Sequence, residues 1–127
     1  SAVKSLVLPC IENSSGNISE RYRKVVVKLR KLLDRHLAVT KSPAEYAPML
    51  NISEVYLNEA VKGVTGLNVG AYIRNKVMIQ AKRFLAYSSL SSKEIAYRLG
   101  YDDSAYFSRL FRKCAGVSPS DYRKNLK

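Results

Sequence analysis

The chain has 127 residues, 46% of them apolar, and carries 22 Lys and Arg against 10 Asp and Glu, a formal charge of +12. That apolar share excludes a disordered chain and admits one or two small domains with a modest core. The charge predicts a polyanionic partner, nucleic acid ahead of an anionic membrane, against the plainer reading of a soluble basic protein.

Cys10 and Cys114 are the only cysteines and form no Cys-x-x-Cys, so neither a disulfide framework nor a zinc site is expected, and a reducing cytoplasm fits. No apolar run approaches the ~18 residues of a membrane span. Val3 to Leu8 is too short for a signal peptide and is broken by Lys4. His36 is the only histidine and reads as a surface or helix-end residue. There is no Gly-Lys-Ser/Thr phosphate loop, and Gly63, Gly66 and Gly70 do not make a dinucleotide fingerprint. Catalysis, a metal and a cofactor are therefore not expected.

Residues 1–19 leave two readings open, a tail of low order or a functional arm. Glu12 to Ser19, rich in Asn, Ser and Gly, reads as a loop or linker. Because the chain begins at Ser1 rather than Met, more protein is expected to lie upstream. A long helix then opens at Ser19, with Tyr22, Val25, Val26, Leu29, Leu32, Leu33 and Leu37 at three- and four-residue steps. Val25-Val26-Val27 is compatible with a strand, but the run of about 20 residues without Gly or Pro argues for helix. Its basic face is read first as a solvated one.

Ser42-Pro43-Ala44-Glu45 is a helix start with Pro at the first helical position. Asn51-Ile52 turn the chain, and Ser53 caps a second helix reaching Gly63. Val69 to Tyr87 is a breaker-free helix, with Ile73, Val77, Met78, Ala81, Phe84 and Leu85 on one stripe. Its length of about 29 Å approaches the repeat of DNA, about 34 Å. Two reading helices are therefore expected in successive major grooves. Ser91 to Lys113 repeats the earlier unit: a Ser91/Glu94 capping box, an Ile95–Leu99 stripe, a Gly100 stop and acidic Asp102 and Asp103 before a second helix. That helix carries Tyr106, Phe107, Leu110 and Phe111 on an apolar face, and Ser104, Ser108, Arg109 and Arg112 on a polar one. Val117 to Tyr122 starts a last short helix with Pro119 near its first position.

The two units align at an offset of 49 before the turn and 50 after it, so Ser42, Glu45, Ala47 and Leu50 match Ser91, Glu94, Ala96 and Leu99, and Tyr56, Val61 and Gly66 match Tyr106, Phe111 and Gly116. Such a repeat means two copies of one structural unit, and a short helix, a tight turn and a basic second helix form the helix-turn-helix pattern. The expected fold is all-α, two helix-turn-helix subdomains (20–67 and 88–127) joined by a long linker helix (68–87), about seven helices in total. Tyr56, Leu57, Tyr106, Phe107 and Phe111 are read as core rather than base-stacking groups.

The run Lys93 to Tyr101, then Tyr106-Phe107-Ser108-Arg109-Leu110-Phe111-Arg112-Lys113, then Gly116 to Arg123, strongly resembles the signature of the AraC/XylS family of bacterial transcription regulators. Residues 52–66 resemble that family's first helix-turn-helix more loosely. The resemblance covers roughly residues 20–125. It implies promoter-DNA binding, RNA polymerase as a partner, and an upstream domain that senses an effector or dimerises. It places Ser104, Ala105, Ser108 and Arg109 of the second unit, and Val55, Asn58 and Glu59 of the first, toward base edges. Arginine suits guanine and Asn58 suits adenine. Glu59 departs from the family's usual basic residue, leaving two roles open: accepting from cytosine or repelling phosphate. Phosphate contacts are expected from Lys62, Arg112 and Lys113, and from main-chain N–H groups of Ser91, Ser92 and Lys93.

Residues 42–62 hold one base against three acids, and residues 91–113 five bases against three acids, so the second unit is expected to supply most of the affinity. The rival reading is a basic helical module for RNA, an anionic membrane or a protein. Gly63-Val64-Thr65-Gly66 does fit the Gly-x-x-Gly clamp of some RNA readers, but it closes a helix.

Overall fold

In a computed structural model of the chain, residues 10–126 are described, with side chains from residue 18 onward. Seven α-helices and no strand occur among the described residues: α1 Cys10–His36, α2 Pro43–Met49, α3 Glu54–Thr65, α4 Val69–Tyr87, α5 Ser92–Arg98, α6 Ser104–Ala115 and α7 Pro119–Asn125. Val3–Leu8 lies outside the described residues.

Two differences from the sequence reading concern boundaries. α1 begins at Cys10, so the loop expected over Glu12–Ser19 is helical. Asn, Ser and Gly are weak helix formers, but each residue added to an existing helix avoids the cost of nucleation. The second concerns α4. The chain forms two compact units, one from α1 up to Leu32 with Ser42–Tyr72, the other from Leu33–Lys41 with Ile73 onward. The first turn of α4 belongs to the first unit and its remainder to the second, so the helix is core material rather than a bare spacer. Val69, Tyr72, Ile73, Val77, Met78, Ala81 and Leu85 are all buried. A helix with an apolar stripe along its whole length must bury it somewhere.

In the first unit, α2 starts with Pro43 at its first turn, although the Ser42 side chain makes no capping hydrogen bond. Asn51 takes φ 59° in the turn, a conformation Asn tolerates better than most residues. The Ser53 hydroxyl then accepts from the Tyr56 N–H at 3.0 Å and starts α3. Tyr46, Ala47, Leu57, Ala60 and Val61 are buried, and the Tyr22 and Tyr56 rings meet edge-on, 5.7 Å between centroids.

The second unit repeats this plan with stronger local signals. The capping box forms in full: the Ser91 hydroxyl accepts from the Glu94 N–H at 3.1 Å, and a Glu94 carboxylate oxygen accepts from the Ser91 N–H at 2.9 Å. Gly100 takes φ 88°, the counterpart of Asn51. A Cβ there would stand 2.1 Å from the Ala38 carbonyl oxygen, so glycine is required twice over, by φ and by space. Ile95, Ala96, Leu99, Phe107 and Phe111 are buried. Phe107 and Phe111 pack against Tyr101 and Tyr122, with centroids 5.4 and 5.7 Å apart. The Arg123 guanidinium donates to the carbonyls of Leu85 and Ser88, both at 3.0 Å, which fixes α7 against the end of α4. Two residues read as core are not fully buried: Tyr56 is half-buried, and Tyr106 is half exposed and leans on Tyr101 at 6.1 Å. Tyr106 sits at the margin of the apolar stripe, where spacing alone does not decide burial.

Candidate nucleic-acid interface

Asp103 aims α6. Its carboxylate accepts from the Ala105 and Tyr106 N–H groups at 2.9 and 3.2 Å, holding the first turn and placing a negative charge at the positive end of the helix. With Phe107 and Phe111 pinned in the core, the opposite face of α6 is set. Ala105, Arg109, Arg112 and Lys113 are exposed on it, and Ser104 and Ser108 are half-buried beside them. No hydrogen bond or ion pair holds the Arg109 guanidinium among the described residues, so the nearby Asp103 carboxylate does not engage it. Tyr106, missed as a surface group, stands one turn before Arg109 and widens this face with an exposed aromatic edge.

α3 presents its counterpart in the first unit. Val55 is 69% exposed, and Glu59 and Lys62 are exposed. Asn58 is placed differently from the sequence reading. It is half-buried, and its side-chain carbonyl accepts from the Val69 N–H at 2.9 Å, tying α3 to the start of α4. Its role in the fold is therefore structural, and the oxygen it uses is the one that a bidentate adenine contact would also need. The signal lay in the repeat: at an offset of 50, Asn58 and Val69 match Ser108 and Pro119, and proline has no N–H to satisfy.

At the start of α5, Ser91 and Lys93 are exposed and Ser92 is half-buried. The capping box claims the Ser91 N–H, which removes it from the expected phosphate donors; the Ser92 and Lys93 N–H groups have no partner within the helix. The same box keeps Glu94 ionised. The Ser91 N–H first, then the Ser91 hydroxyl and the Arg98 charge, hold its carboxyl below the ordinary range. An anion thus sits beside those donors and opposes a phosphate there.

No group of metal-ligating side chains occurs among the described residues, and none of their helices is long and apolar enough to cross a membrane. What the geometry offers is a set of unpaired cations and short polar groups on one rigid helix, the chemistry of base and phosphate contact.

A family model described as a helix-turn-helix domain, of AraC type, matches residues 46–125. The transcriptional activator RhaS of Salmonella schwarzengrund is 35% identical over 97 residues, spanning 76% of this chain and 35% of that protein. The C-terminal domain of AraT, a response regulator from Geobacillus stearothermophilus, superposes with a TM-score of 0.73 at 33% identity, covering 80% of this chain and 84% of that one. The DNA-binding domain of AdpA, solved with a target DNA, gives 0.71 at 23% identity over 78% of this chain and 89% of that one, a likeness of fold alone. The chain spans about a third of the length of curated relatives such as RhaS. These relatives are transcription regulators, not an enzyme family. The chain belongs to the AraC/XylS-type helix-turn-helix family, the DNA-binding part of transcription regulators.

Proposed function

We propose that α6 enters the major groove of promoter DNA and reads it through Arg109, with Ser104, Ala105 and Ser108 shaping the fit. The observation that carries this reading is an exposed, partner-free guanidinium at the middle of the reading helix. Guanine offers it two acceptors, O6 and N7, in bidentate geometry. Arg112, Lys113 and Lys62 supply sequence-independent attraction to phosphates, and the Ser92 and Lys93 N–H groups add a smaller share against the opposing Glu94 charge. α3 is a second, weaker reader, since its acids oppose the approach of a polyanion. In the intact regulator, an upstream region senses an effector or dimerises, and RNA polymerase is the target of activation; the protein works in the cytoplasm.

The test is binding to a selected operator in duplex form. Arg109→Ala costs about 1–3 kcal/mol and relaxes the preference at one base pair. Arg112→Ala and Lys113→Ala weaken all sequences alike, each flattening the slope of log affinity against log salt by about 0.9. Equal competition by duplex DNA, RNA and anionic vesicles at fixed salt overturns the reading and favours the rival basic module.

A further inference from the structure

The two units carry readers of one frame but opposite chemistry. α3 and α6 are both twelve residues long, each starts from a side-chain cap (Ser53, Asp103), and each closes on a left-handed glycine (Gly66, Gly116; φ 80° and 85°). Glu59 and Arg109 are each the sixth residue of their helix, and both are exposed. Val55 and Ala105 are each the second, and both are exposed. At the sixth position the second unit thus offers a donor and the first an acceptor, each one turn after an apolar group. No hydrogen bond or ion pair occupies the Glu59 carboxylate among the described residues. It borders an open cleft of about 640 Å³, also lined by Glu54, Val55 and Val69.

We propose that Glu59 is a specificity residue that selects cytosine, and that Val55 selects a neighbouring thymine. This rests on the reading of the chain as a DNA-binding module. The choice of base follows from what each pair shows in the major groove. Guanine presents two acceptors and thymine an acceptor and a methyl, all of which repel or ignore a carboxylate. Adenine presents a donor flanked by the N7 acceptor, which sets one attraction against one repulsion. Cytosine presents the N4 amino group as a donor without a neighbouring ring acceptor on the same base. Glu59 therefore gains most from cytosine and loses most against guanine, the reverse of Arg109. Val55 lies four residues earlier, about 6 Å along the helix axis. Base pairs are stacked about 3.4 Å apart, so its methyls reach a thymine methyl within one or two base pairs of that cytosine. A carboxylate in a groove lined by phosphates lowers affinity for every sequence. It lowers it least where the cytosine N4 amino group donates to the carboxylate, which is discrimination gained at the cost of tightness.

The experiment is selection from a randomised pool of duplex DNA by this chain, followed by the same selection with Glu59→Ala, Glu59→Gln and Val55→Ala. Circular dichroism melts confirm that each variant is folded. The wild-type preference is expected to contain a cytosine that becomes degenerate in Glu59→Ala, a loss of about 5- to 150-fold in discrimination. In Glu59→Gln that position turns toward adenine, which glutamine reads through a donor and an acceptor. Val55→Ala erodes a thymine next to it, and the guanine assigned to Arg109 stays in all three. If Glu59→Ala leaves every position unchanged, or strengthens binding to all sequences by one common factor, Glu59 is only a repelling charge and the proposal fails. A wild-type chain that selects no sequence at all overturns the DNA-reading function itself, and this inference with it.

Discussion

α3 and α6 share their caps, their length and their glycine stops, and differ at almost every position those features leave free. Inward, Leu57 and Val61 of the first unit become Phe107 and Phe111 of the second, and the larger rings engage Tyr101 and Tyr122. Outward, Glu59 becomes Arg109. The frame is thus held by a few backbone-directed groups and a buried pair, while the exposed residues are free to carry opposite charge. Two outer faces of different chemistry can be built on one scaffold because neither cap nor core depends on what the outer face displays.

The comparison breaks most sharply in the core. Phe111→Ala is expected to destabilise the second unit by about 3–5 kcal/mol, and Val61→Ala the first by less, since a smaller side chain leaves a smaller cavity. Urea denaturation followed by helical circular dichroism measures both. Loss in Val61→Ala equal to that in Phe111→Ala would mean that ring size does not distinguish the two cores.

The turns come next. Gly116→Ala meets only left-handed strain of about 1–2 kcal/mol, because nothing lies within 4 Å of the added Cβ. Gly100→Ala meets the same strain and also the Ala38 carbonyl. It is expected to cost more than Gly116→Ala in the same denaturation series. Equal losses would show that the turn of the second unit moves freely off Ala38.

Helix starts give smaller effects. Asp103→Ala and Ser53→Ala should each cost about 1 kcal/mol, with Asp103 the larger because its carboxylate accepts two N–H groups and Ser53 accepts one. Melting temperatures of the two variants rank them.

What was legible in the sequence follows this same division. Caps, proline starts and glycine stops are local signals, so the starts of α2, α3, α5, α6 and α7 and the repeat itself could be read directly. The start of α1 could not, because helix propagation depends on neighbours already helical rather than on the residues added. The structural role of Asn58 escaped because its partner, the Val69 N–H, lies 11 residues away and meets it only after α4 folds back. Tyr106 escaped because a stripe defines a direction, not its width. The exposed cations of α6 were legible because a helix with two buried rings leaves only one face for water.

The capping box offers the finest distinction, and it depends on pH. Ser91 forms a reciprocal pair with Glu94, whereas Ser42 at the matching start of α2 makes no side-chain cap. The folded carboxyl of Glu94 is held below its ordinary range, chiefly by the Ser91 N–H. An unfolded chain therefore takes up that proton first as pH falls. The stabilisation is complete above the ordinary carboxylate range and is lost as pH drops through the lower, folded value. Glu94→Gln keeps an acceptor for the Ser91 N–H but has no proton to exchange. Urea midpoints of the two proteins should differ at neutral pH and converge in acid, where the protonated Glu94 behaves as an uncharged side chain like glutamine. A gap that persists unchanged into acid would assign the difference to side-chain shape. The box would then owe nothing to the charge at the start of α5.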